Sequence, residues 1–400
     1  MNFKDLLVVE TGTGLAGPLV TRSLVDLGAR AIKVESRTRT DLQRERPRPP
    51  GMGAGAAADV TQNMSAGKLS VTLNLKTEAG RELFMRLIAQ ADVYVDTWAP
   101  GWLERLGLSH GQMQEANPRL VVMSQSSYGS EGPLSSQRSF APIMTALAGI
   151  ESVIGYEDGR FVPQIGTAMG DVIAALISTS LVLAALYERE RTGAGALLDI
   201  SQVEASTALA GIAMAEYGIT GEVPTPHGNA HPAYAPHGVY RTAGADRWVA
   251  LCVWSDEEWR ALCSVLGVGQ QDQERFAATS ERLDHRAEVD RVVAARCLQF
   301  DRDALTEELQ RRGLSCTPVL DCEETDASPV FRAGGLDAFV EADDGSTLAI
   351  TRFPWWYDHL EMAVRGPGQP LGFATDEVLE GILGCSKTEI EAWRLEEALT

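Results

Sequence analysis

Cysteine, histidine, aromatic residues and positive charge are all scarce in this chain of 400 residues. Its six cysteines, at 252, 263, 297, 316, 322 and 385, form no CxxC pair. That argues against a disulfide framework and fits buried thiols in a reducing compartment. Lysine and arginine number 35 against 55 aspartates and glutamates, a net charge of -20. A general nucleic-acid binder needs a basic face, so no nucleic-acid partner is expected. A small anionic ligand stays open, because a local patch can oppose the global sign. The opening MNFKDLLVVE lacks the apolar core and cleavage site of a signal peptide. The most apolar later run, Val172 to Leu186, carries Ser178, Thr179 and Ser180 and reads as short of a membrane span. A cytoplasmic protein with no membrane partner is expected.

What is present is a globular composition, 44% hydrophobic and 22% charged. At this length two domains are the default. Short buried strands are expected over 5–10 and 30–35, with a helix from Pro18 to Leu27 between them and Gly28 at its end. Further strands are expected at 69–75, 92–96 and 119–125, and a helix at 77–91. Alternating strands and helices predict an α/β fold. A nearly all-round apolar helix follows from Thr167 to about Arg191, then a strand in LLDIS. GEVPTPHGNAHPAYAPHG, 221–238, reads as a loop and domain boundary. A strand pair near 238–253 and amphipathic helices near 255–313 make a smaller α+β domain. A strand-like FVEADDGSTLAI, a Trp355-Trp356-Tyr357 cluster and a helix at 387–397 close the chain.

Gly12-x-Gly14-x-x-Gly17 has the spacing of a dinucleotide fingerprint, with a strand before it, a helix after it and Glu35 downstream. Such glycines let a pyrophosphate approach a helix N-terminus. An NAD-dependent dehydrogenase is therefore one reading. Against it, no later dehydrogenase constellation stands out. Arginines at 37, 39, 44, 46 and 48 follow Glu35. They make either a solvated loop or a site for a phosphate-rich ligand.

LAGPLVTRSLVDLGARAIKVE, NMSAGKLSVTLNLKTEAGRELFMRLIAQADVYVDTWAPGWLERLGL, YGSEGP, GDVIAALISTSLVLAALYERERTGAGALLDISQVEA, GNAHPAYAPHGVYRT and QPLGFATDEVLEGILG together span the chain in order. In these segments it resembles the class III CoA-transferases, the family of formyl-CoA and carnitine CoA-transferases. The resemblance implies a Rossmann-like large domain that binds coenzyme A, built from 1–220 and 336–400, and a small α+β domain over 225–335. It implies an interlocked homodimer, acyl-CoA and carboxylic acid as substrates, and neither NAD nor metal.

The resemblance also implies a catalytic carboxylate, Asp171. This is the only acidic residue between Gly159 and Glu188, and it opens the apolar run. An acid there can equally serve as a helix cap or dipole partner. As nucleophile it would attack an acyl-CoA, and the released thiolate would convert the anhydride to an aspartyl-CoA thioester. By the same resemblance Gly14, Leu15 and Ala16 match the loop beside CoA. Ser36 stands where some relatives have arginine, with Arg37 as a substitute. Leu73, Thr97 and Trp98 match the adenine and ribose surroundings, and Arg105 and Arg138 match phosphate contacts. Leu15 and Ala141 replace helper side chains of formyl-CoA transferase. Phe140 stands where the related α-methylacyl-CoA racemases carry histidine. An acyl-CoA racemase or isomerase, and a non-catalytic CoA-binding paralogue, are the remaining readings. His227, His231 and His237 lie in a loop, 227–237, that could act as a lid; Pro226, Gly228 and Pro232 disfavour a helical metal site there.

Overall fold

The computed structural model of the protein describes every residue except 1, 46–59, 161, 163–167, 336, 342–344, 346, 355–357 and 359–363. Arg46, Arg48 and the Trp355-Trp356-Tyr357 cluster lie outside the described residues. The chain divides into two compact units, Met1–Ile150 with Gln164–Ile219 and Arg332–Thr400, and Glu151–Pro163 with Thr220–Phe331.

The first unit is built on six strands: β1 (Leu7–Glu10), β2 (Arg30–Glu35), β3 (Leu69–Thr72), β4 (Val93–Asp96), β5 (Val121–Ser126) and β6 (Ala196–Ser201). All pair in parallel, in the order β3-β2-β1-β4-β5-β6. That is the order of the doubly wound dinucleotide folds. The inner strands are largely buried, with apolar runs such as Val8-Val9, Ala31-Ile32, Val93–Val95 and Val121–Met123. Alternate residues feed two cores. Val9, Ile32, Val34, Tyr94 and Val122 enter one; Val8, Ala31, Val93, Val95, Val121 and Met123 enter the other.

The helices up to residue 220 are α1 (Ala16–Asp26), α2 (Val60–Met64), α3 (Glu78–Ile88), α4 (Trp102–Arg105), α5 (His110–Ala116), α6 (Ala141–Leu147), α7 (Ile150–Val153), which runs into the second unit, α8 (Met169–Thr192), α9 (Gln202–Thr207) and α10 (Gly211–Thr220); Thr375–Gly381 and Lys387–Leu395 also belong to the first unit. α1 begins two residues earlier than the sequence suggests, so Pro18 sits within the first turn, where its missing N–H costs nothing. α8 runs 24 residues and is long and apolar enough to cross a membrane, which corrects the expectation from Val172–Leu186. It packs Ala175, Val182 and Leu186 into the same core as α1, and its buried Arg189 pairs with Asp92 at 3.0 Å.

Gly17 marks the closest approach of α1 to the sheet. A methyl there would sit 2.6 Å from Thr97 Cγ2. Gly17→Ala is expected to cost about 1–3 kcal/mol through overpacking. A lower urea midpoint at an unchanged m-value would show it. An unchanged midpoint would mean that α1 shifts freely.

A charge cluster lies beneath the C-terminal edge of the sheet. Lys33 Nζ donates to Glu10 Oε1 at 2.8 Å, to the Gly12 carbonyl at 2.8 Å and to Asp41 Oδ2 at 3.0 Å. Lys68 Nζ donates to Glu10 Oε2 at 2.6 Å and to the Pro18 carbonyl at 2.8 Å. All four side chains are almost fully buried. Burial alone would raise the Glu10 carboxyl, but the two ammonium groups outweigh it and hold it at about 2.

The second unit carries an antiparallel sheet of β7 (His237–Arg241), β8 (Trp248–Cys252) and β9 (Ser315–Pro318), in that order. The helices Asp256–Leu266, Arg286–Cys297 and Arg302–Arg311 bury Trp259, Leu262, Val293 and Leu305 with it. No cysteine is in a disulfide; Cys322 is exposed, against the expectation of buried thiols. In the first unit, β10 (Asp337–Glu341) pairs antiparallel with β11 (Thr347–Thr351).

Candidate active site

Asp171 lies in the first turn of α8, an electrostatically favourable place for an anion. It is half-buried. Among the described residues it forms no ion pair. Its side-chain partner is Gln202, the first residue of α9, whose Nε2 donates to Asp171 Oδ1 at 2.9 Å. Burial lifts the carboxyl above its ordinary value, and the amide donor offsets part of the rise. Gly170 permits the close packing around it. A methyl there would lie 3.3 Å from Ser206 Oγ, 3.4 Å from Thr145 Cγ2 and 3.6 Å from the Ala141 carbonyl. The N-terminus of α6, capped by Phe140, is therefore a neighbour of this turn. Phe140 is exposed. Such a carboxylate, partly desolvated and free of a cation, is suited to nucleophilic attack on a thioester.

A cleft of about 160 Å³ opens at the C-terminal ends of β1, β2 and β3, with residues after β4 on one side. Its apolar lining includes Val34, Leu73, Leu75 and Leu106; its polar lining includes Thr11, Ser36, Asn74 and Lys76. Trp98 and Trp102 form one wall, their rings stacked at 3.8 Å. Trp98 Nε1 donates to Thr11 Oγ1 at 2.9 Å, and its backbone N–H to Asp96 Oδ1 at 3.2 Å. Asp96 is held in turn by His110 Nε2 at 2.9 Å and Ser124 Oγ at 3.1 Å. Burial would lower the His110 imidazole, but its bond to Asp96 and that carboxylate's charge raise it. The Arg39 guanidinium stands over both indoles, 5.0 Å and 5.7 Å from the ring centres.

Of the residues singled out in the sequence, Ser36, Leu73 and Trp98 meet in this cleft. Thr97 adjoins it and exchanges hydrogen bonds with the Thr13 backbone. Arg37, the expected substitute for an arginine at position 36, turns toward Gly372, and it is Arg39 that stands by the tryptophans. Ser36 Oγ donates to the Thr400 carbonyl at 3.0 Å. Leu15 and Ala16 open α1, and Ala16 is buried. Arg105 and Arg138 are exposed. Sequence reasoning missed Trp102, Lys76 and Gln202, and named Arg39 only as one of five arginines after Glu35. The i, i+4 spacing of Trp98 and Trp102 was a usable signal for one of them.

The glycine fingerprint does not form a pyrophosphate cradle. The N–H of Thr13 is taken by Thr97 Oγ1 at 3.0 Å, and that of Gly14 by Asp41 Oδ1 at 3.1 Å. Gly14 supplies the left-handed turn, with φ of 77°. Glu35, the expected ribose ligand of an NAD enzyme, is clamped by Arg44, whose Nη2 lies 2.7 Å away. In the second unit, the loop before β7 stacks His231 on Tyr234 at 4.7 Å, and Tyr234 meets Trp254 edge-on at 4.6 Å.

The family model described as CoA-transferase family III matches residues 3–375. The succinate–glutarate CoA-transferase of Agrobacterium fabrum is 30% identical over 381 residues, covering 93% of each chain. The succinyl-CoA–D-citramalate CoA-transferase of Chloroflexus aurantiacus is 32% identical over 387 residues, covering 96% of this chain and 95% of that one. A crystal structure of a CAIB/BAIF family protein from Brucella suis matches with a TM-score of 0.86 and 29% identity, over 95% of this chain and 98% of the other.

Proposed function

The chain belongs to CoA-transferase family III and is an enzyme that moves CoA between an acyl-CoA and a carboxylic acid; from that premise we propose that Asp171 carries the transfer as a covalent aspartyl-CoA thioester. The observation that carries the reading is the state of Asp171: half-buried, without an ion pair among the described residues, and with Oδ1 held by Gln202. The carboxylate attacks the acyl-CoA to give a mixed anhydride and CoA thiolate. The thiolate then takes the aspartyl carbonyl and releases the first acid. The acceptor acid reverses both steps. One thioester replaces another, so the exchange consumes no ATP.

The cleft at the ends of β1, β2 and β3 serves the adenylate end of CoA, with the base against Trp98 and Trp102 and its phosphates near Arg39, Lys76 and Arg105. Gly14, Leu15 and Ala16 flank the nucleotide, and Arg138 adds positive charge. The named relatives act on succinate, glutarate and D-citramalate, which favours short dicarboxylic acids as substrates here. A racemase would need a second base, and Phe140 offers none. Exposed apolar side chains on α8 and α10, among them Tyr187, Ile212, Tyr217 and Ile219, support a homodimer.

Indole fluorescence tests the cleft. CoA is expected to quench it, and NAD to leave it unchanged. Trp98→Ala should weaken CoA binding by about 1–3 kcal/mol, the usual worth of a base–aromatic stack. Equal quenching by NAD, or unchanged CoA affinity in the variant, would move the nucleotide out of this cleft. Solvent deuterium entering the α-carbon during turnover would favour the racemase reading.

A further inference from the structure

We propose that Gln202 is a catalytic residue, the oxyanion donor for the two steps of the transfer that occur at the aspartyl carbon. This rests on the aspartyl-CoA reading above.

Three observations place the donor. An ionised carboxylate only accepts hydrogen bonds, so it is the amide nitrogen of Gln202 that faces Asp171 Oδ1, at 2.9 Å. Gln202 is only 8% exposed, so little water competes with it. Its backbone is fixed, because Ser201 caps α9 by accepting the Glu204 N–H at 3.2 Å. One turn further on the same helix, Ser206 is fully buried and its hydroxyl lies against Gly170. The polar side of α9 is thus turned to the first turn of α8.

The chemistry gives that donor a task. Asp171 Oδ2 bonds to the acyl carbon, and the C–S bond of the acyl-CoA breaks. The thiolate then adds to the aspartyl Cγ. The new C–S bond forms, the electron pair of the C=O moves onto Oδ1, and collapse expels the acid with Oδ2. When the acceptor carboxylate attacks the aspartyl thioester, the charge again gathers on the oxygen facing Gln202, and CoA thiolate leaves. In the resting carboxylate one negative charge is shared by two oxygens. In each adduct at Cγ it rests on one. The Gln202 bond therefore strengthens on the way to the transition state, the condition for a rate effect. Adducts at the acyl carbon place their charge elsewhere and draw nothing from Gln202.

Gln202→Met and Gln202→Glu test this, with intact-mass spectrometry following the Asp171-bound CoA adduct in single turnovers of succinyl-CoA. Gln202→Met is expected to slow adduct formation about 10²–10³-fold, the usual cost of one oxyanion donor, with CoA affinity by fluorescence unchanged. The acidic limb of its pH profile should move upward, because the donor that favours the ionised carboxylate is gone; Gln202→Glu should move it further. A merely structural residue would leave that limb in place. Adduct formation within about threefold of the unsubstituted protein, or an unmoved limb, overturns the donor role alone. Absence of any adduct on Asp171 in the unsubstituted protein overturns the covalent reading and this inference with it.

Discussion

Replacing Asp171 by alanine is expected to leave a folded protein that still binds CoA but transfers none of it. Loss of a covalent nucleophile removes the whole route, so the fall in rate should be about 10⁴-fold or more. Stability should change little. The folded carboxyl titrates above its usual 3.8, with burial as the cause. A raised carboxyl pKa means that ionisation favours the unfolded chain, so stability is lost as pH rises through the folded value. Alanine relieves that cost but leaves Gln202 Nε2 without its acceptor, an opposing penalty. The same raised value puts the acidic limb of kcat/KM above the ordinary carboxylate range in the unsubstituted enzyme. The check is exchange of CoA between succinyl-CoA and glutarate, followed by chromatography. Activity within tenfold of the parent would end the case for Asp171.

Lys33→Met is expected to produce the largest loss of stability. The substitution leaves Asp41 buried without its cation, halves the support of Glu10 and frees the Gly12 carbonyl. Breaking one member out of such a buried set costs about 3–5 kcal/mol. Because Asp41 also accepts the Gly14 N–H, the nucleotide loop should loosen with it, and CoA affinity should fall in protein that stays folded. Glu10 gives the matching pH signature. Its carboxyl titrates at about 2 when folded against 4.5 when free. It therefore contributes stability above 4.5, which disappears as pH falls toward 2. Urea melts at pH 7 and pH 3 would measure both. A loss under 1 kcal/mol at pH 7 would show that water reaches the cluster and compensates.

Much of the fold was legible because hydrophobic runs and helix signals are local. Val8–Val9, Ala31–Ile32 and Val93–Val95 read as buried strands, and the 30–35 strand has the observed bounds. The α/β class followed from the alternation of strands and helices and from the resemblance; the strand order came only with the structure. The charge cluster was not legible. Glu10 ends one expected strand and Lys33 lies inside the next, and nothing local says that their side chains close on each other and on Lys68. Asp171 stood out through the resemblance and because it opens an apolar run with no other acid nearby. Its partner did not, since a glutamine opening a short helix looks like any solvated residue. The glycine spacing misled for a similar reason. What occupies its N–H groups comes from Asp41, 27 residues on, and Thr97, 84 residues on.

β3 sits at the edge of the sheet, and the helix that covers it, Thr375–Gly381, comes from the far end of the chain. Thr375 Oγ1 accepts the Thr72 N–H from 303 residues away. During synthesis at about 5–20 residues per second, that edge waits roughly 15–60 s for its cover. The contiguous stretch over 220–331 has emerged by then and can complete its own sheet first. The nascent chain thus finishes its middle before its beginning, with an open parallel edge that holdase chaperones and like strands of neighbouring nascent chains can reach until the last residues leave the ribosome.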